Sequence, residues 1–187
     1  MARSFDLRDV DRITVGTVGA PGQRTFYLQA RKDGTLVTVK LEKSQVGALV
    51  QELGKLIQGL SRPGHLPDDL ELEEPVLAEW TVGRIGLGFD DGADRIVIEL
   101  EDVAAFAEDE DDLFGPSGSR GPADRTDDEE GGGLARFSAT REQVAALAIR
   151  GASLVEGGRP PCPLCAYPLD PRGHTCPKTN GNRPPAA

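Results

Sequence analysis

The sequence predicts an α+β fold in which two β-β-β-α repeats form antiparallel sheet covered by two helices, followed by a short cysteine-bearing tail. Three observations carry this expectation. Two stretches are rich in β-branched and aromatic residues and are broken by turn residues; a helical apolar stripe follows the first; and the two strand-to-helix passages match without a gap.

Asp11 to Gly19 and Arg24 to Leu41 carry Val, Ile, Thr, Phe and Tyr. Ala20-Pro21-Gly22-Gln23 and Lys32-Asp33-Gly34 interrupt them, which reads as three antiparallel strands joined by hairpins. From Ser44 to Leu60 the apolar residues Val46, Leu49, Val50, Leu53, Leu56, Ile57 and Leu60 recur at helical spacing, and Arg62-Pro63-Gly64 stops the helix. The second half repeats the order, with strands at Trp80 to Phe89, Arg95 to Leu100 and Leu134 to Ala139. Thr140 then opens a helix, with Gln143 as its capping-box partner. Leu36 to Leu49 aligns with Leu134 to Leu147 without a gap, and Val15-Gly-Thr-Val-Gly19 resembles Val82-Gly-Arg-Ile-Gly86. An internal duplication is the reading, against chance likeness of two amphipathic helices that each follow a strand.

The organisation is therefore a first repeat over residues 1–62, a linker over 63–78, a second repeat over 79–157 and a tail over 158–187. An insertion from Glu108 to Gly133 interrupts the second repeat. It is dense in Asp, Glu, Gly, Ser and Pro and too poor in apolar residues to offset its ordering entropy, so it is expected to be mobile. It lacks the Asp-x-Asp-x-Asp-Gly spacing of a calcium loop and reads as a solvated acidic segment.

A chain of 187 residues supports one ordinary core or two small modules, and 38% hydrophobic with 28% charged residues fits a soluble globular protein. The formal charge of -10 argues against non-specific binding to nucleic acid or an anionic membrane. No stretch approaches the roughly 18 apolar residues of a membrane span, and the N-terminus lacks the apolar core of a signal peptide. A cytoplasmic location is expected. The 3 cysteines all lie in the tail, and an odd number cannot pair fully within the chain, so reduced thiols on a metal fit better than a disulfide framework.

The tail reads Cys162-Pro-Leu-Cys165, then Pro168-Leu-Asp-Pro171 and Gly173-His174-Thr-Cys176-Pro177. A Cys-x-x-Cys pair makes a knuckle that sets two thiolates on one side of a metal, and His174 with Cys176 can complete a tetrahedron. Cys162, Cys165, His174 and Cys176 are thus predicted to hold one zinc ion. Four protein ligands leave no open position, so the site should be structural. Pro163, Pro168, Pro171 and Pro177 stiffen the segment and lower the entropy lost on wrapping the ion. Competing Cys-x-x-Cys chemistries fail on particular residues. Haem attachment needs His directly after the second cysteine, where this chain has Ala166; thioredoxin-like chemistry wants a neighbouring β-α-β unit; and the zinc deaminases place His-x-Glu upstream.

No nucleophile signature accompanies His65, which reads as a surface-loop residue. Gly83, Gly86 and Gly88 lie within a strand rather than before a helix, so they read as bends or bulges and not as a dinucleotide fingerprint. Trp80 reads as core or as cover for a sheet edge. Arg24, Arg31, Arg84 and Arg95 either line an anion site or are exposed sheet charges, and the second reading is favoured.

The tail from Gly158-Arg-Pro-Pro-Cys-Pro-Leu-Cys165 to Asn180-Gly181 resembles the C-terminus of an uncharacterised actinobacterial family, the domain-of-unknown-function family 3090. Gly16-Thr-Val-Gly19, Pro21-Gly-Gln-Arg-Thr-Phe-Tyr-Leu-Gln-Ala-Arg31 and Leu41-Glu-Lys-x-Gln-Val46 resemble it too, so the likeness covers nearly the whole chain. It implies an intracellular protein, encoded in many genomes near a histidine-phosphatase-like and a kinase-like protein. It supplies no activity.

The favoured function is a non-enzymatic interaction or adaptor module with a structural zinc site and a protein partner. Arg159, Arg172, Lys178 and Arg183 against Asp170 make the tail mildly basic, which leaves nucleic-acid binding as one alternative. An enzyme acting on an anionic ligand in the groove between the repeats is the other. No catalytic residue is assigned.

Overall fold

The computed structural model of the chain describes residues 3–20, 22–58, 64–106, 132–158, 162–165 and 176–179. The first unit holds β2 (Arg12–Val18), β3 (Thr25–Lys32), β4 (Thr35–Leu41) and α1 (Lys43–Gln58), after a short β1 (Ser4–Leu7). The second holds β5 (Val82–Asp90), β6 (Arg95–Asp102), β7 (Leu134–Ala139) and α2 (Arg141–Glu156), with a single 3-10 turn at Val103–Phe106. The order β-β-β-α recurs as the sequence predicts.

Local chemistry sets the boundaries. Between β3 and β4, Asp33 and Gly34 both take positive φ, 48° and 82°, in a two-residue hairpin that pairs Lys32 with Thr35. Two central residues at positive φ match the twist of the flanking strands, and Asp-Gly adopts that turn at low cost. Thr140 caps α2, with its hydroxyl accepting from the Gln143 N–H while the Gln143 side chain accepts from the Thr140 N–H at 2.9 Å. Glu42 occupies the matching place before α1, where its N–H donates to the Gln45 side chain at 2.8 Å. Each helix runs 16 residues.

β2, β3 and β4 make one antiparallel sheet in that order. β5, β6 and β7 make the other by antiparallel pairing, and β1 adds to β7 in parallel, Ser4 opposite Leu134 and Leu7 opposite Phe137. The predicted strands pair antiparallel as expected, and β1, which the sequence reading did not place, is an addition that brings residues 4–7 into the sheet of the second unit. The addition has a physical cause: Phe5 stacks on the Trp80 ring at 5.8 Å between centroids and packs with Leu7 against the core.

One apolar cluster joins both sheets and both helices, running from Ile13, Leu28 and Val39 through Val46 and Leu53 to Ile98, Phe137 and Leu147. Within the stripe predicted for α1, Val46, Leu49 and Leu53 are buried and Val50, Leu56 and Ile57 pack against the cluster; Leu60 lies outside the described residues. The helices lie side by side and meet at Gly151, where an added Cβ would sit 2.6 Å from Val50 Cγ2 and 3.4 Å from Val15 Cγ1. A side chain there would hold the helices apart, which is why the position suits glycine.

Residues 64–78, the described part of the segment read from sequence as a linker, continue through Glu79 and Trp80 as a strap across the polar face of the first sheet. Arg12 Nε donates to the Asp69 carbonyl at 3.0 Å, and the same guanidinium reaches the Glu71 carbonyl and the Glu73 carboxylate. The Gln29 amide donates to the Glu73 carbonyl at 3.0 Å and accepts from its N–H at 2.8 Å. The Thr14 hydroxyl donates to the Leu70 carbonyl at 2.6 Å. Arg12, Thr14, Gln29 and Thr38 are consequently buried, yet each buried polar group finds a partner or lies beside one. The strap ends by pairing with the β4 edge, through Glu79 N–H to the Thr38 carbonyl and Lys40 N–H to the Trp80 carbonyl.

The two glutamines at the third helical positions tie the units together. Gln45 of α1 donates to the Val82 carbonyl that starts β5, and Gln143 of α2 donates to the Val10 carbonyl just before β2, both at 2.8 Å. Each helix thus fixes the first strand of the other unit. Their equivalence follows from the gap-free match that pairs Gln45 with Gln143.

Candidate metal centre

Cys162 opens a tight turn that ends at Cys165, and Cys176 immediately precedes a 3-10 turn over Pro177–Thr179. The three Sγ atoms lie within 4.8 Å of one another. Cys162 is 2% exposed and Cys176 is fully buried, with Cys165 at intermediate depth. None of the three is in a disulfide. Tetrahedral coordination at a Zn–S distance of about 2.3 Å puts two sulfurs about 3.8 Å apart, so the observed cluster needs little movement to share one ion.

The turn also prepares its first thiol. Burial pushes the Cys162 thiol up, but hydrogen bonds from the backbone N–H groups of Cys165 and Leu164, together with the neighbouring Cys165 and Cys176 thiols, bring it below its ordinary value. Backbone N–H groups aimed at a sulfur stabilise the thiolate, the form that binds a metal. The donor set is soft and converges on one point, which fits a metal ion. His174, the fourth predicted ligand, lies outside the described residues, as do Arg159, Arg172 and Arg183 of the basic tail.

The other sequence candidates separate from one another. Arg24 donates to the Gly157 carbonyl at 2.8 Å, Arg31 pairs with Glu73, Arg84 with Glu101, and Arg95 with Asp9. Each has its own acceptor, and the four do not converge on an anion site. His65 is exposed in the strap. Trp80 is buried in the core, with Gly133 against its ring so closely that a Cβ would sit 2.6 Å away. Gly83 is the extra residue where the β5–β6 register shifts between Val82 and Arg84, a bulge as its sequence position suggested. Residues 107–131, the greater part of the acidic insertion expected to be mobile, lie outside the described residues.

Sequence reading gave Arg12 no role, nor did it foresee Gln45 and Gln143 as ties between the units. Arg12 alternates with apolar Ile13 and Val15 in β2 and so reads as a solvent-facing charge. The strap that buries it comes from a segment with no periodicity.

Fold and site together define an α+β protein of two three-stranded meanders, each followed by a helix, with a three-thiol cluster near the C-terminus able to hold a metal ion. The profile of the DUF3090 family, described as proteins of unknown function, matches residues 5–176, and the chain belongs to that family. No curated protein and no solved structure matches the chain. Among the described residues no helix is long and apolar enough to cross a membrane.

Proposed function

We propose that Cys162, Cys165, Cys176 and His174 hold one zinc ion in a structural Cys3His site, and that the protein acts in the cytoplasm as a non-enzymatic interaction module. The observation that carries the metal reading is the convergence of three thiols from two separate short segments, two of them buried. Unrelated cysteines have no reason to meet in this way. Three sulfurs and an imidazole favour zinc over the hard, oxygen-loving cations. The ion supplies cross-linking: four bonds fold a segment that has almost no apolar core of its own.

The interaction reading is supported by how the charged residues are used. Arg24, Arg31, Arg84 and Arg95 each serve an internal acceptor rather than a shared site, and the three thiols converge where they could close a metal site. What remains to act is surface: the tail and the two-unit body beside it.

Elemental analysis of the purified chain tests the metal reading. One zinc per chain is expected, falling below stoichiometry in each of Cys162→Ser, Cys165→Ser, Cys176→Ser and His174→Ala. A metal-free chain whose three thiols all react rapidly with a thiol reagent contradicts it. For the interaction reading, a partner should be captured from the native cell by the full chain and lost in the Cys162→Ser, Cys165→Ser double variant. Capture indifferent to that variant contradicts a role for the tail.

A further inference from the structure

The two helix-to-strand contacts that look equivalent in sequence differ in space. On one side Arg150 of α2 donates from Nε to the Val15 carbonyl at 2.9 Å, and Gly151 lets α2 close against β2. The gap-free helix match places Glu52 and Leu53 of α1 at the positions of Arg150 and Gly151. Glu52 accepts but cannot donate, and it is held by Lys55 at 2.6 Å; Leu53 is buried in the core. Among the described residues, the side-chain bond from α1 to the β5 backbone is that of Gln45 to the Val82 carbonyl. A groove of about 650 Å³ stays open there, lined by Ala48, Leu49, Glu52 and Leu56 of α1 and by Ile85 and Leu87 of β5.

β5 is also the terminal strand of its sheet, and among the described residues no backbone group pairs with its outer edge from Arg84 to Asp90. An open edge normally carries a guard, such as lysine, proline or a bulge along its length. This one has its only bulge at its start, between Val82 and Arg84, and no lysine or proline. Instead the residues from Arg84 to Asp90, Arg-Ile-Gly-Leu-Gly-Phe-Asp, are self-complementary when read from opposite ends.

We propose that β5 pairs edge to edge with β5 of a second copy, antiparallel about a twofold axis at Leu87, so that the groove and the open edge are filled together. In that register Arg84 faces Asp90 of the second copy, Ile85 faces Phe89, Gly86 faces Gly88, and Leu87 meets its own equivalent. The twofold axis keeps each sheet face in place. Ile85, Leu87 and Phe89, which pack partly buried on the core side, therefore meet the same three residues of the second copy. The charged ends meet on the solvent side, where Asp90 is exposed and the Arg84 side chain, beside Glu101 at 3.8 Å, is 65% exposed. The two glycines opposite each other keep the centre of the outer face free of bulk. Opposite charges at facing cross-strand positions attract and like charges repel, and the symmetry counts the pair twice.

Light scattering and sedimentation of the full chain test this. The wild type should move from 19.9 kDa towards twice that mass as concentration rises. Arg84→Asp and Asp90→Arg should each raise the dissociation constant at least about tenfold, since each sets like charges opposite one another at two places. The double variant R84D/D90R should dimerise again, and the two single variants should form a heterodimer when mixed. Rescue on mixing cannot come from misfolded chains. A wild type that keeps the 19.9 kDa mass at about 1 mM overturns the proposal. So does a dimer indifferent to the single charge changes, or single variants that mixing fails to rescue.

Discussion

Gly151 offers the sharpest test of how the two units are joined. In a free helix, Gly→Ala stabilises by about 1 kcal/mol, because glycine loses the most backbone freedom on folding. At Gly151 the new methyl would sit 2.6 Å from Val50 Cγ2, with Val15 Cγ1 at 3.4 Å and Val46 Cγ1 at 3.6 Å behind it. Carbon atoms want about 3.5 to 4.0 Å, so something must retreat by about 1 Å. All three neighbours are valines, stiff at χ1, and they cannot swing aside as a methionine could. Overpacking of this kind costs about 1–3 kcal/mol, which outweighs the propensity gain. Gly151→Ala should therefore lower stability by about 1 kcal/mol, a fall of roughly 3 °C in melting temperature for a chain of this size. Gly54 of α1 is the internal control, since an added Cβ there meets nothing within 4 Å. Gly54→Ala should raise stability by about 1 kcal/mol. Adding Val50→Ala to Gly151→Ala should recover part of the loss through a favourable coupling in the double-mutant cycle. If thermal unfolding shows Gly151→Ala as stabilised as Gly54→Ala, the close helix contact is wrong.

Three further outcomes follow from the strap, the glutamine ties and one surface pair. Arg12→Ala leaves the Asp69 and Glu71 carbonyls and the Glu73 carboxylate without their buried donor, and a loss of about 2–3 kcal/mol is expected from the urea midpoint. Gln45→Ala and Gln143→Ala each remove a cap and a tie to the other unit, so each should cost about 1–2 kcal/mol in urea denaturation, and their effects should add. The Asp11 carboxyl is held below its ordinary value first by the Asp33 N–H and then by Lys32, whose own ammonium is raised chiefly by Asp11. Asp11 therefore contributes above the ordinary carboxylate range and loses that contribution as pH falls through its lowered value. Lys32 contributes below the ordinary lysine range and loses its share as pH rises through its raised value. Asp11→Asn should weaken the protein at neutral pH and converge with the wild type in strong acid, as read from unfolding curves across pH.

The parts of the fold legible in the sequence are those with a local signal. Val46, Leu49 and Leu53 announce α1 by spacing, Asp33-Gly34 announces its hairpin, and Thr140 with Gln143 announces α2. β1 was missed because it has only four residues, alternates between exposed and half-buried, and gains its place from a strand some 130 positions away. Its one hint is the alternation of Phe5 and Leu7. Most of the strap reads as a linker in sequence because Pro67, Asp68, Asp69, Glu71, Glu73 and Pro75 resemble any acidic loop. Its work depends on Arg12, Thr14 and Gln29, polar residues whose alternation with apolar neighbours says solvent when the true cover is another piece of chain. At the metal centre, the Cys-x-x-Cys spacing gave the turn directly, and the approach of Cys176 to it is a tertiary fact that the sequence could only suggest.

The most direct test of the proposed closed site of three thiolates and one imidazole is the absorption spectrum of the metal-free full chain titrated with Co2+. One equivalent should give the intense visible bands of a tetrahedral centre and the near-ultraviolet charge-transfer band of three thiolates, both displaced by one equivalent of Zn2+. His174→Ala should keep the thiolate band and alter the visible bands. Weak visible absorption, as from six-coordinate cobalt, or binding that never reaches one ion per chain, would contradict the site.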